Sequence, residues 1–539
     1  MARSAAMAAA MLLGLGIGMS TAPAPAQTVL RVSEGGTANI DPQLASIVID
    51  AILMYNVYDT LVYPAVDAGS TEIRPHLAES VELDASGTVY TIKLRPNVKF
   101  HSGNILGADD VVFSLNRMLA LKKGFSYLFD GWIKSAEARD PLTAVITLTK
   151  PYSTFYSSLT RLSIVDSKTV MANKRPGDYG EFGDYGTGYL NENGAGTGAY
   201  RATFHKQTER TELRKFPDYF KGVPAKAPDI VRLAYHQPDP TVVTLFQRGE
   251  LDLVRSFIPA ETKRALLDVK GVTLAEEPGV AMFFIKLNNR KPPFDDVHCR
   301  RAFAFAVDYD NMLEVERVDA KTVGAVPARG PLLSSMAGYV PSMPVMKRDM
   351  KRAREELAQC RHKPGSVKIQ ITWIDIVSKE EPIALLLQQN WKELGFTSEI
   401  QRLPWPVYVQ MTAKPDTAPM VGQVYTFART TDPDAYLYNL YHSSRHGQFS
   451  AAEYFADAEV DALLDKGRAT PVGPARTAIY EQVFRRVVEL QPSIFGYELI
   501  NHYAKRDVVS IPTMERPELN TGLMGGNHLF RLMEMKAAN

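Results

Sequence analysis

Leu77-Ala78-Glu79-Ser80, then Ser86-Gly87-Thr88-Val89-Tyr90-Thr91-Ile92-Lys93-Leu94-Arg95-Pro96-Asn97-Val98-Lys99-Phe100-His101-Ser102-Gly103, then Ala108-Asp109-Asp110-Val111-Val112-Phe113-Ser114-Leu115, is the most informative run of this chain. Asp84-Ala85-Ser86-Gly87 is a turn sequence, and Tyr90 to Leu94 after it alternates apolar and polar as a half-buried strand does. Asp109 and Asp110 place acidic charge at the positive end of a helix. Val111, Val112, Leu115, Met118 and Leu119 then line one face of it. A turn, a strand and an amphipathic helix thus follow one another within forty residues.

Outward from that unit, strands and helices alternate without a fixed repeat, which excludes solenoids and propellers. Val29 to Val32 opens as a short strand and Ala144 to Leu148 is another. Pro176 to Gly198 is rich in Gly, Asp, Asn and Tyr and reads as a long irregular loop. Arg301 to Leu313 reads as one packed helix, and Asp349 as the N-cap of the helix through Leu357. Val367 to Trp373 is a strand, Ile383 to Leu394 a helix stopped by Gly395-Phe396, and Ser398 to Leu403 a strand, which makes a parallel right-handed unit. Helices over about Asp457 to Arg468 and Pro474 to Leu490 complete the second half.

Met1 to Ala26 reads as an export signal, with Arg3, an apolar stretch from Ala5 to Met19 and Ala24-Pro25-Ala26 as the cleavage site. The mature chain then starts near Gln27, and loss of Arg3 balances 61 basic against 60 acidic residues to neutrality. A neutral chain lacks the basic face a nucleic-acid binder needs. No later stretch has the roughly 18 uninterrupted apolar residues of a membrane span. Cys299 and Cys360 are the only cysteines. They either pair, as an oxidising compartment permits, or serve as two small buried hydrophobes.

Motifs of catalysis are absent: no Gly-Lys dipeptide for a Walker A loop, no Gly-x-Ser-x-Gly elbow, no Cys-x-x-Cys and no His-Glu-x-x-His. Gly194-Ala195-Gly196-Thr197-Gly198 has the look of a phosphate loop, but the strand-like Tyr200 to Phe204 after it makes it a turn. His442 and His446 stand four apart, a metal spacing without a third ligand between them. Asp432-Pro433-Asp434 is a pair of carboxylates for acid/base work or a plain turn. Trp391 lies on an apolar helix face as core, whereas Trp405, between Pro404 and Pro406 at a strand-to-loop transition, is a candidate to line a cleft.

The run quoted first resembles the signature of family 5 extracytoplasmic solute-binding proteins, the oligopeptide, dipeptide and nickel binding components of ABC importers. Further matches follow in order: Gly196-Thr197-Gly198-Ala199-Tyr200, Gly249-Glu250-Leu251-Asp252, Pro293-Phe294-Asp295-Asp296-Val297 with Arg301-Ala302 and Ala306-Val307-Asp308, Asp432-Pro433-Asp434, and Val460-Asp461-Ala462-Leu463-Leu464. The resemblance implies an α/β, two-lobed periplasmic-binding-protein clamshell of type II, similar to the large cluster C, with an extra subdomain in lobe I. The implied division is a signal peptide over 1–26, lobe I over 27–287 including the subdomain at about 65–200, lobe II over 288–498, and a return to lobe I over 499–539. The strand crossings are expected near Leu287-Asn288 and Tyr497 to Leu499.

What the resemblance implies for function is a periplasmic monomer without cofactor, catalytic residue or metal. It captures a small-molecule or peptide ligand between its lobes and delivers it to an inner-membrane ABC permease and its ATPase subunits. The candidate ligand-binding residues are Trp405, Tyr425, Phe427, Arg429, Asp432 and Glu34. Two departures from the family pattern bear on the ligand: the Trp commonly preceding a ligand aspartate is Thr426, and the aspartate itself is Arg429. Arg429 either grips a ligand anion through paired hydrogen bonds or, with the loop shifted, pairs with Asp432 or Asp434. Two other departures are structural, Gly107 as a weaker helix cap and the glycine-rich Gly194 to Tyr200 as a more flexible crossover. The alternatives are a secreted hydrolase using Asp432 and Asp434, and a metallophore or nickel carrier using His442 and His446.

Overall fold

A computed structural model describes residues 27–70, 72–254 and 258–536. The expected export segment and its cleavage site lie outside the described residues.

The main sheet is built from β1 (Val29–Glu34), β2 (Tyr200–Lys206), β3 (Arg210–Lys215), β4 (Ile230–Tyr235), β5 (Leu253–Val254), β6 (Val272–Leu287), β7 (Ile369–Ile374), β8 (Ser398–Leu403), β9 (Val421–Phe427) and β10 (Ser493–Arg506). Their order across the sheet is β8-β7-β9-β6-β10-β5-β1-β4-β3-β2, and Ala325–Pro327 pairs with β10 as an eleventh strand. Two strands, β6 and β10, are long enough to run through both lobes. Ala275 and Tyr503 belong to the core under β1 and β4, while Ala281, Phe283, Ile285 and Leu287, with Ile494, Tyr497 and Leu499, belong to a core shared with β7 and β9. The handover on β6 thus falls between Ala275 and Ala281. Leu287-Asn288, the expected crossing, ends the strand in the second core, while the handover coincides with the polar and turn-forming Glu276-Glu277-Pro278-Gly279. At the handover β6 carries an irregularity: Pro278 faces Ile500 and Ala281 faces Leu499, so two residues of β6 have no counterpart on β10.

The extra subdomain is a four-stranded antiparallel sheet in the order Ala78–Leu83, Val89–Leu94, Thr143–Leu148, Ile133–Asp140. Helix α1 (Ala108–Leu121) covers it. Val111, Leu115 and Met118 pack there with Tyr90, Ile92, Leu94 and Ile146, each such fully buried side chain contributing about 1.5–3 kcal/mol. The weak Gly107 cap is reinforced from N3, since the Asp110 carboxylate accepts from the Gly107 N–H at 2.9 Å. On the same helix Arg117 is fully buried and paired with Asp41, an ion pair that a reading for apolar periodicity passes over.

The second lobe contains α2 (Val297–Ala306), α3 (Met350–Gln359), α4 (Glu380–Lys392), α5 (Trp405–Met411), α6 (Pro433–Tyr441), α7 (Ala458–Ala469) and α8 (Pro474–Leu490). Strands β7 and β8 pair in parallel around α4 as expected. The single helix expected over Arg301 to Leu313 is two: α2 ends at Ala306, and Asp308 caps a new one over Tyr309–Glu314 by accepting from the Asn311 N–H. Trp405 opens a helix and is not in a loop, because Pro404 and Pro406 suit a first turn whose N–H groups need no partner. Cys299 and Cys360 form a disulfide that ties α2 to the end of α3, with Cα atoms 4.9 Å apart. The glycine run is the reverse of a flexible crossover. A Cβ on Gly196 would lie 2.1 Å from the Val57 carbonyl oxygen, and one on Gly198 2.4 Å from that of Asn56, so these glycines permit backbone-to-backbone contact.

Candidate functional site

The two lobes enclose a cavity of about 90 Å³. From the first lobe its wall is the segment after α1, with Gly124, Phe125 and Tyr127; from the second it is the end of β9, with Thr426 and Phe427, and the turn that leads through Arg429 into α6. Strand β9 ends here because its partner β6 reaches the irregularity, and the chain turns at Thr430 to Asp432, where Asp432 caps α6 by accepting from the Asp434 N–H.

Arg429 is half-buried in this wall. Burial pushes its pKa below the ordinary arginine value; neighbouring Arg161 acts in the same direction, while the hydroxyl of Tyr127 opposes it. Its guanidinium donates to the Met524 thioether and sits against Tyr127, two weak acceptors for a full charge. Arg161 is not a rival for an anion: it donates to the carbonyls of Ala428, Arg429 and Met524, and so clamps the Arg429 turn. The Thr426 hydroxyl, also on the wall, is buried without a hydrogen-bond partner. The site therefore presents a half-buried cation and an unfilled hydroxyl to whatever enters.

Asp432, an expected ligand residue, does not line the cavity, and neither of the two aspartates pairs with Arg429. Arg476 donates to both Asp432 oxygens at 2.8 and 2.9 Å, and Arg468 grips Asp434 at 2.9 and 3.0 Å. Thr154, from the first lobe, donates to Asp434 at 3.1 Å and accepts from Arg476 at 3.2 Å, so this quartet joins the lobes. Two carboxylates held by two arginines have no lone pair poised for acid/base work, which removes the hydrolase arrangement. The histidines do not converge either. His442 stacks on Tyr438 at 4.1 Å and meets the Ser444 hydroxyl, while His446 contacts the Phe455 carbonyl. Among the described residues no group of three or more His, Cys, Asp or Glu side chains is placed to hold a metal.

Of the remaining candidates, Phe427 lines the cavity. Trp405 stands behind the wall, in a satellite cluster with Leu403, Tyr408 and Val424, its ring edge-on to Phe449 at 4.9 Å. Tyr425 turns into a buried network, donating to Glu316 at 2.9 Å and meeting the Tyr497 hydroxyl at 2.5 Å, with Lys379 on the same carboxylate. Glu34 is buried at the end of β1 and does not line the cavity. Tyr127, Asn439 and Gln448 line it and were not legible in the sequence, since each sits in a stretch without a motif.

Residues 72–448 match the family model described as bacterial extracellular solute-binding proteins, family 5 Middle. The chain is 25% identical over 489 residues to the probable D,D-dipeptide-binding periplasmic protein DdpA of Escherichia coli K12, covering 88% of this chain and 90% of that protein. In structure it is similar to the periplasmic binding protein DppA from Helicobacter pylori in complex with peptide STSA, with a TM-score of 0.78, 22% identity and coverage of 95% and 99%. It is equally similar to AgaA from A. tumefaciens R10 in complex with agropinic acid, with a TM-score of 0.77, 22% identity and coverage of 95% and 99%.

Proposed function

Since the chain belongs to the bacterial extracellular solute-binding proteins of family 5, a family of transport binding proteins and not of enzymes, we propose that its ligand is a small organic acid of the peptide or peptide-like class. The ligand's anionic group lies on Arg429. The observation that carries this reading is a half-buried guanidinium on the cavity wall that pairs with no carboxylate among the described residues, while Asp432 and Asp434 are held by other arginines. A charge partly withdrawn from water without a counter-ion costs free energy, and an entering carboxylate relieves that cost. An amine-first peptide mode is disfavoured by the same charge. Relatives bearing the names of a D,D-dipeptide-binding protein and of a protein in complex with agropinic acid bracket the chemistry expected.

Exported by residues 1–26, the protein works in this reading as a periplasmic monomer that presents its closed form to an inner-membrane permease and its ATPase subunits. We place lobe I over 27–278 and the C-terminal segment from about 500, lobe II between, and the hinge at the irregularity of β6. A ligand that touches both walls binds the closed state better, and that difference in affinity drives closure. A thermal-shift panel of neutral peptides, acidic peptides, mannopinic acid and agropinic acid tests the reading. Acids should stabilise the protein, by about 2.7 kcal/mol at 100 times the dissociation constant. Arg429→Ala should cost about 2–5 kcal/mol of that binding. Stabilisation by neutral dipeptides that vanishes on acetylating their amino end overturns it.

A further inference from the structure

Beside the Arg429 wall lies a second guanidinium without a counter-ion. Arg445, on the short turn after α6, stands over the face of Tyr127 at 5.6 Å from the ring centre, while Arg429 approaches the hydroxyl end of the same ring. The Nε and Nη2 atoms of Arg445 are buried and have no hydrogen-bond partner. The charged and polar groups that act on it are Tyr127, Tyr438, Tyr152 and the like-charged Arg468, and among the described residues no carboxylate is within ion-pair distance of it.

The charge count at the lobe junction makes this one-sided. Five guanidiniums gather here: Arg161 acts on Arg429, Arg468 acts on Arg445, and Arg476 lies across the aspartate pair from Arg468. Asp432 and Asp434 neutralise Arg476 and Arg468. Arg161 is satisfied by three backbone carbonyls, which are neutral. Arg429 and Arg445 are left without a carboxylate partner among the described residues, both against one tyrosine ring, and Arg445 has two buried donors unfilled. A fold that stabilised itself with these arginines would provide acceptors for them, as it does for the other three.

Resting on the anionic reading of Arg429, we infer that the ligand carries two anionic groups, one on each of Arg429 and Arg445, with Tyr127 as the spacer between them. Dicarboxylates such as glutamyl or N-carboxyalkyl amino-acid conjugates have the chemistry required. Two charges also explain why one arginine would not suffice for selection: a monoacid leaves the Arg445 donors desolvated and unfilled, a loss that a site built for a hydrogen-bonding group does not recover.

The test uses isosteric twins on the full-length mature protein: Ala-Glu against Ala-Gln, γ-glutamyl-alanine against γ-glutamyl-alaninamide, with glutathione as a larger diacid, each titrated calorimetrically. The expected result is a preference of about tenfold or more for each diacid over its amide twin. Arg445→Gln should erase that preference while leaving the amide twin's affinity within about twofold, and should leave the ligand-free melting temperature unchanged or raised. Arg429→Gln should weaken both twins. Equal binding of the twins, a preference that survives Arg445→Gln, a drop in the ligand-free melting temperature of Arg445→Gln with the preference retained, or no binding by any diacid overturns the inference. Equal binding of twins that both remain sensitive to Arg429→Gln would sink the second anion site and keep the first; insensitivity of both to Arg429→Gln would sink the first as well.

Discussion

The residue scale shows how little a side chain's type says about its role until its partners are known. Arg429, Arg468 and Arg476 lie near the same cleft, yet two are closed into bidentate pairs and one is open. For a closed pair, deleting one partner leaves a buried charge, so Asp434→Ala should destabilise the protein by about 3–5 kcal/mol, and adding Arg468→Met should restore most of that loss in urea melts. Trp405 carries the opposite lesson. Its packing on Tyr408 and Phe449 makes it a wall support, so Trp405→Ala should cost about 2–4 kcal/mol in the ligand-free protein, read from the same melts. A ligand-binding loss with unchanged stability would return Trp405 to the cavity. Two buried histidines give a pH dependence. Burial lowers His101 to about 4, opposed by the hydrogen bond to the Gly198 carbonyl, and lowers His205 to about 4. Each therefore binds its proton more weakly folded than unfolded. The stability they contribute is complete above the ordinary histidine value near 6.5 and falls as the pH drops toward 4. The melting temperature should decline across that window, and His101→Gln with His205→Gln should flatten the decline.

At the scale of elements, periodicity and capping chemistry were legible and spatial proximity was not. The strand over Ser398–Leu403, the Asp349 cap and the Gly395 stop were all readable because each is a local signal. The split after Ala306 was readable too, through Asp308, but an apolar run overrode it. The cavity wall was half legible: Phe427 and Arg429 stand in a motif-bearing stretch, whereas Tyr127 reaches the site only through the docking of two lobes, which no local pattern encodes. The same limit holds for the disulfide, since Cys299 and Cys360 are 61 residues apart and meet because α2 packs on α3. Closing a loop of that length restricts the unfolded chain, so Cys299→Ser with Cys360→Ser should lower stability by about 2–4 kcal/mol, measured by denaturant midpoint under non-reducing conditions. Equal midpoints for the oxidised and mutant proteins would mean that the bond adds nothing to the packing of the two helices.

For the whole molecule, the decisive fact is that both lobes share one sheet. A sheet resists bending across its strands, so two lobes joined through β6 and β10 can change their angle only where the ladder is already interrupted. Of its two interruptions, the one between Phe283 and Phe284 lies beyond the handover, and the one at the handover is the stretch where Pro278 and Ala281 face consecutive residues of β10 and Gly279 takes a φ of +72°, a conformation that side chains rarely adopt. A Cβ there would also approach the Glu498 carboxylate to 3.3 Å. Gly279→Val therefore forces the backbone out of its present geometry and resets the lobe angle without touching the cavity wall. If closure turns on this point, small-angle scattering of the unmutated protein should show a fall in radius of gyration on adding the tightest binder of the acid panel, and Gly279→Val should reduce that fall and weaken binding through the closure equilibrium alone. The variant's ligand-free fold, checked by circular dichroism, should be retained, because the site lies outside both cores. A full-sized change in radius with unaltered affinity in Gly279→Val would place the bending elsewhere along β6 and β10.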